Sequence, residues 1–158
     1  MRVLAVLGSA LALGLGLALP AGATPPAAET FTISISGVES CDGFDDVFAG
    51  EATVRQTTYV DAGGNPVTIR LHVSAFETDT NSRTGKTIEV RGAFTIVIDL
   101  ASGTFTETGL SLISNQPRQG VVIQDTGTVV FDATGEVVFE AGPHDALDDP
   151  GIFCAALA

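Results

Sequence analysis

The chain has 158 residues, enough for one domain with its own hydrophobic core. Its formal net charge is −12, from 19 acidic against 7 basic side chains; a polyanion of that size is repelled by nucleic acid and by anionic lipid, which sets both aside as partners. Two histidines cannot make a three-histidine zinc centre, and the two cysteines lie too far apart for a C-x-x-C redox pair.

Residues 1–23 have the layout of a secretory signal peptide: Arg2 beside the amino terminus, an uncharged apolar run over residues 3–19, then Pro20 and the small-residue site Ala21, Gly22, Ala23. Its removal leaves residues 24–158 as a single secreted or envelope-located domain without a membrane span. Losing Arg2 takes the net charge from −12 to about −13. In an exported chain an even cysteine pair reads as a disulfide. Cys41 and Cys154 then close a loop of more than a hundred residues, worth roughly 4 to 5 kcal/mol in the chain-entropy model, and tie the tail to the exit of the first strand.

Alternation of period two carries the rest of the chain. Phe31, Ile33 and Ile35 mark a first strand, and residues 51–60 a weaker, Thr-rich second one. Val67, Ile69, Leu71, Val73 and Ala75 alternate with Thr68, Arg70, His72 and Ser74, which predicts a half-buried strand with its polar face outward. The next apolar face, Ile88, Val90, Gly92, Phe94, Ile96, Ile98 and Leu100, runs for about 40 Å at the usual rise per residue. Gly92 within it marks a bend or a close backbone approach. Phe105 is odd whereas Leu110 and Leu112 are even, so a bulge near Thr108-Gly109 is expected to restore the inner face. Turn chemistry separates these segments, as in Asp61-Ala62-Gly63-Gly64-Asn65-Pro66 and Ala101-Ser102-Gly103.

Residues 120–143 read GVVIQDTG, TVVFDATG, EVVFEAGP, three near-copies of one eight-residue phrase. A solenoid would continue the repeat through most of the chain, and a calcium nonapeptide has a different spacing. Hairpins fit better, turning at Asp125-Thr126-Gly127 and Asp132-Ala133-Thr134-Gly135. The predicted fold is therefore all-β, an antiparallel meander of about eight strands, with a closed barrel favoured over a sandwich because closure removes exposed edges. Both faces of the octads are apolar, with Val121, Ile123, Val129, Phe131, Val137 and Phe139 on one and Val122, Val130 and Val138 on the other. The second row calls for a cover, either the folded-back tail or a second copy in a homo-oligomer.

Candidate sites are few. The barrel interior, lined by Ile33, Ile69, Leu71, Val90, Phe94, Ile96, Phe131 and Phe139, either fills itself or holds a small apolar ligand. Asp42, Asp45 and Asp46 follow one cysteine, and Asp148 and Asp149 precede the other; drawn together, they offer the hard oxygen ligands of Ca²⁺, although no EF-hand spacing is present and acidic turns are ordinarily solvated. His72 reads as a solvated or hydrogen-bonded strand residue, and Arg83-Thr84-Gly85-Lys86-Thr87 as a loop rather than a phosphate cradle. No catalytic residue is assigned. An enzyme would place a carboxylate or histidine inside the barrel with a shifted pKa, whereas the alternation puts Arg70, His72, Glu89 and Arg91 outside.

The runs GVVIQDTGTVVFDATGEVVFEAGPHDAL and FCAAL resemble the C-terminal part of uncharacterised exported proteins of high-GC Gram-positive bacteria, and the architecture is similar to the allene oxide cyclase and dirigent barrels. The first resemblance implies export and no activity. The second implies an eight-stranded barrel that houses apolar substrates, but none of its catalytic residues matches a position here. The resulting expectation is a cofactor-free, non-catalytic binding or envelope-associated protein, with a cofactor-free barrel enzyme of cyclase or isomerase type as the alternative.

Overall fold

The computed structural model describes residues 26–116, 120–149 and 151–158; the expected signal peptide, residues 1–23, lies outside them. Seven strands follow one another in the chain: β1 (Ala27–Cys41), β2 (Phe44–Val60), β3 (Pro66–Asn81), β4 (Thr87–Asp99), β5 (Phe105–Gln116), β6 (Gly120–Phe131) and β7 (Val137–Ala141). They lie side by side in the same order in one antiparallel sheet. Two short helices, α1 (Asp145–Asp148) and α2 (Ile152–Leu157), follow.

The all-β meander is as expected, but the closed eight-stranded barrel is not. At the sheet's two edges β1 pairs with β2 alone and β7 with β6 alone, so the sheet stays open. The missing strand has a local cause. Asp125-Thr126-Gly127 is not a turn: β6 runs straight through it and pairs with β5 on both sides.

Each strand buries alternate residues, and the buried sets align across the sheet. Val54, Val73 and Phe94 stand opposite one another on β2, β3 and β4. With Ile35, Ala52, Leu71 and Ile96 they form one buried cluster on what we call the inner face. Phe105 on β5 and Phe131 on β6 are likewise opposite, their rings stacked at 4.4 Å between centroids and 12° between planes.

Backbone irregularities keep this face in phase. The extra residue expected near Thr108-Gly109 is instead Ser111, where the β4–β5 and β5–β6 registers both shift. It presses on Gly92: a Cβ there would run into the Ser111 carbonyl oxygen, which is the close approach that the glycine signalled. A second slip, between Val130 and Phe131, sets Val137 opposite Phe131 but Phe139 opposite Val130. Phe139, expected inside, is therefore turned outward and is 54 % exposed.

Beyond β7 the chain stays beside β6 in the same antiparallel register, which pairs Thr128 with Ala141 and Asp125 with His144. Gly127 and Gly142 have φ of 127° and 113°, and a Cβ on Gly127 would collide with the Ala141 carbonyl oxygen. That closeness lets the Thr126 N–H reach the Pro143 carbonyl at 2.8 Å and turns the tail onto the sheet. Ala146, Phe153 and Leu157 then cover Ile88, Val90 and Ile123 in a second buried cluster. The tail thus covers the inner face rather than the outer valine row; of that row Val122 alone packs against this cluster, and Val138 is 59 % exposed.

Several groups fasten the tail. The Cys41–Cys154 disulfide forms as expected, with Cα atoms 5.5 Å apart. The carbonyls at the end of α2 accept hydrogen bonds from Gln116 Nε2 (Ala156 O, 2.7 Å), Asn81 Nδ2 (Leu157 O, 3.1 Å) and Lys86 Nζ (Ala158 O, 2.9 Å). These satisfy acceptors that a helix end leaves open.

Gly127→Ala should cost about 2 to 4 kcal/mol, because the new Cβ meets backbone and the φ is one that L residues avoid. Gly135→Ala, at a positive-φ turn with nothing near its Cβ, should cost only about 1 to 2 kcal/mol. Urea unfolding of the two variants compares them directly, and equal losses would refute the close approach of Ala141 to Gly127 as the cause.

Candidate functional site: carboxyls and a histidine on the inner face

Glu107 is two residues along β5 from Phe105 and stands directly opposite Ile96 on β4 and Val129 on β6. Both neighbours are buried, so the carboxyl is held on the apolar inner face. Burial pushes its pKa up from the ordinary glutamate value, and the nearby charge of Asp125 pushes the same way. A hydrogen bond from Ser111 and the proximity of His144 pull it back.

Asp125 keeps the odd register of Ile123 and Val129 on β6 and so points to the same face. Its pKa is raised as well, first by burial and also by Asp145, against a hydrogen bond from the Ala146 N–H and the pull of His144. That hydrogen bond, at 2.8 Å to Asp125 Oδ1, caps α1 from a neighbouring strand. The residue at the N-cap position, His144, provides no side-chain cap. Asp145 reciprocates by accepting the Gln124 N–H at 2.8 Å.

His144 forms a β-bridge with Asp125 and is only 4 % exposed. Among the described residues its Nε2 has no hydrogen-bond partner. The group therefore joins two carboxyls that burial holds toward their neutral form to an imidazole with an unused ring nitrogen. Chemically, a neutral carboxyl can donate a hydrogen bond or a proton into an apolar surround, and an imidazole can take one up.

Further along the inner face the polarity changes. Gly50 and Val90 stand opposite Glu77, and Phe48 and Ile88 opposite Asp79. Asp46, Glu77 and Asp79 are at most 5 % exposed. Glu77, Gly92 and Ser111 help to line a cavity of about 20 Å³, room for about one water.

The residues expected to line the interior are only partly gathered. Ile33, Ile69, Leu71, Phe94 and Ile96 meet in the first cluster, and Val90 belongs to the second. Phe131 reaches the first through Phe105. The acidic positions are dispersed: Asp45 is exposed while its neighbour Asp46 is buried, and Asp42, Asp148 and Asp149 are all exposed. Among the described residues no three His, Cys, Asp or Glu side chains form a metal-binding group. His72 lies on the exposed face, with Nδ1 2.9 Å from Thr95 Oγ1. Glu107 and Asp125 were not singled out as site residues, although each follows an odd-numbered apolar residue, Phe105 or Ile123, by two positions. His144 gives no local signal, since only the continued pairing beyond Gly142 brings it to Asp125.

No protein-family model, curated protein or solved structure matches this chain.

The raised pKa values of Glu107 and Asp125 fix the sign of a pH dependence. Each group favours the fold most below its unfolded value, 4.5 or 3.8, and that contribution is lost as pH rises through the higher folded value. The turn aspartates act in the opposite sense. Asp61, Asp99 and Asp132 are lowered, chiefly by hydrogen bonds from Asn65, Ser102 and Thr134, and lose their contribution as pH falls from 3.8 through their lower folded values. We expect the urea midpoint to rise as pH falls through the raised folded values of Glu107 and Asp125 toward 4.5, and to fall again as pH drops below 3.8. Glu107→Gln should flatten the first limb; a variant whose midpoints track the parent at every pH would remove Glu107 from that role.

Proposed function

We propose that this protein is an extracytoplasmic binding module that holds a small apolar molecule against the inner face of its sheet, with the Glu107 carboxyl as hydrogen-bond donor to one polar acceptor on that molecule. The observation that carries this reading is the position of Glu107, a carboxyl whose charged form burial disfavours, between Ile96 and Val129. Sites for small molecules combine an apolar lining with a few placed polar groups, and Phe105 and Phe131 supply aromatic surface on the same face. The disulfide supports the location, since such bonds persist in oxidising compartments. Among the described residues no helix is long and apolar enough to cross a membrane. The resemblance to exported proteins of high-GC Gram-positive bacteria agrees with that location.

A second reading draws on Asp125 and His144. A carboxyl with an imidazole nearby is the minimum for moving a proton between two positions of one substrate, which is the chemistry of a cofactor-free isomerase or cyclase.

A matched pair of fluorescent probes tests the first reading: a naphthyl ketone and the corresponding hydrocarbon. The ketone should bind about tenfold more tightly, as one hydrogen bond of about 1.4 kcal/mol requires, and Glu107→Leu should erase the difference. Equal affinities for both probes, or none for either, would eliminate Glu107 as the donor. Deuterium uptake from solvent at the ketone α-carbon, lost in both Asp125→Asn and His144→Gln, would establish the second reading instead.

A further inference from the structure

The opposite face of the sheet has a different chemistry. Three rows cross β1 to β4 on the outer side: Thr32, Thr53, Ser74 and Ala93; Thr30, Arg55, His72 and Thr95; and Ala28, Thr57, Arg70 and Val97. Eight of these twelve positions are Thr, Ser or Ala, three are basic or histidine, and none is a carboxylate. Arg55, Arg70 and His72 are exposed. In a protein with 19 acidic side chains and a net charge of −12, a continuous band without one acid is a local reversal of sign.

Two aromatic rings border the band, and each carries an arginine. The Arg70 guanidinium carbon lies 5.9 Å from the Tyr59 ring centroid, and that of Arg91 lies 5.3 Å from the Phe76 ring centroid. Such stacking holds the planar fork in place. At the Arg91 end Glu89 pairs with it at 3.1 Å and the exposed Glu51 stands opposite Phe76 in the same row, so within the band the positive charge rests on Arg55 and Arg70.

We propose that this outer band is a docking surface for a linear polysaccharide that carries carboxylate groups. Serine and threonine hydroxyls both donate and accept, as do the hydroxyls of a sugar. The arginine forks match carboxylates in a bidentate way. Polymer charge density favours a glycan over nucleic acid. Duplex DNA presents about one charge per 1.7 Å of axis and would meet the repulsion of the whole acidic molecule. A sparsely charged glycan feels mainly the band beneath it, because exposed charges are screened beyond about 8 Å at physiological salt. A lipid surface is a poorer match, since Val97 is the only apolar side chain larger than alanine within the three rows.

Affinity electrophoresis of the purified protein in gels containing polygalacturonate, neutral dextran or a single-stranded polynucleotide tests this. Retardation is expected in polygalacturonate alone, decreasing as salt is added. The double variant Arg55→Gln/Arg70→Gln should lose at least tenfold in apparent affinity with an unchanged melting temperature, both side chains being exposed. Glu107→Gln should bind polygalacturonate like the parent, so this test is separate from that of the inner face. Equal mobility in the polygalacturonate and dextran gels, undiminished retardation of the double variant, or equal retention by the polynucleotide would each overturn the proposal.

Discussion

Every feature of this molecule depends on keeping side-chain alternation in phase across neighbouring strands. A residue's face is fixed by its strand's register with the next one, and a slip of one residue exchanges the two faces. Over β1 to β4 the pairing is regular enough that Val54, Val73 and Phe94 fall in line. From β4 onward the sequence no longer maintains parity by itself. Ser111 restores it by standing as an extra residue against Gly92, at the cost of a tight backbone contact that no residue with a side chain could make.

The same dependence explains how polar groups come to be inside. A carboxyl on an apolar face loses hydration, so its charged form is disfavoured and its pKa rises. Glu107 and Asp125 have that condition imposed by the strands that carry them. The tail does more than cover: by staying close beside β6 at Gly127 and Gly142 it delivers His144 and the start of α1 to Asp125, which then serves both as helix cap and as part of the inner-face group. The disulfide and the bonds to the end of α2 hold that arrangement from the other side.

The two faces of one sheet therefore meet different requirements. Inside, acidic groups are buried among aliphatic and aromatic side chains. Outside, hydroxyls and arginines form a band from which carboxylates are absent, although acidic side chains outnumber basic ones 19 to 7 in the chain. Overall net charge describes neither face, because screening confines each group's influence to its own surroundings.

The sequence by itself determined the strands, the meander and the disulfide, because alternation, turn residues and cysteine parity are local or composition-level signals that need no knowledge of neighbours. Asp61 and Asp132 show it well: each was legible as a turn residue and each accepts its hydrogen bonds within four residues. The parity of Glu107 and Asp125 was also written in the chain, but a carboxyl between apolar residues reads as a solvated exception until the strands beside it are known. Tertiary structure alone decided that the sheet stays open, that Asp125-Thr126-Gly127 continues a strand, that Phe139 turns outward and that His144 reaches Asp125. Each of those depends on the register between segments far apart in sequence, and a residue-by-residue pattern carries no information about which strand lies next to which.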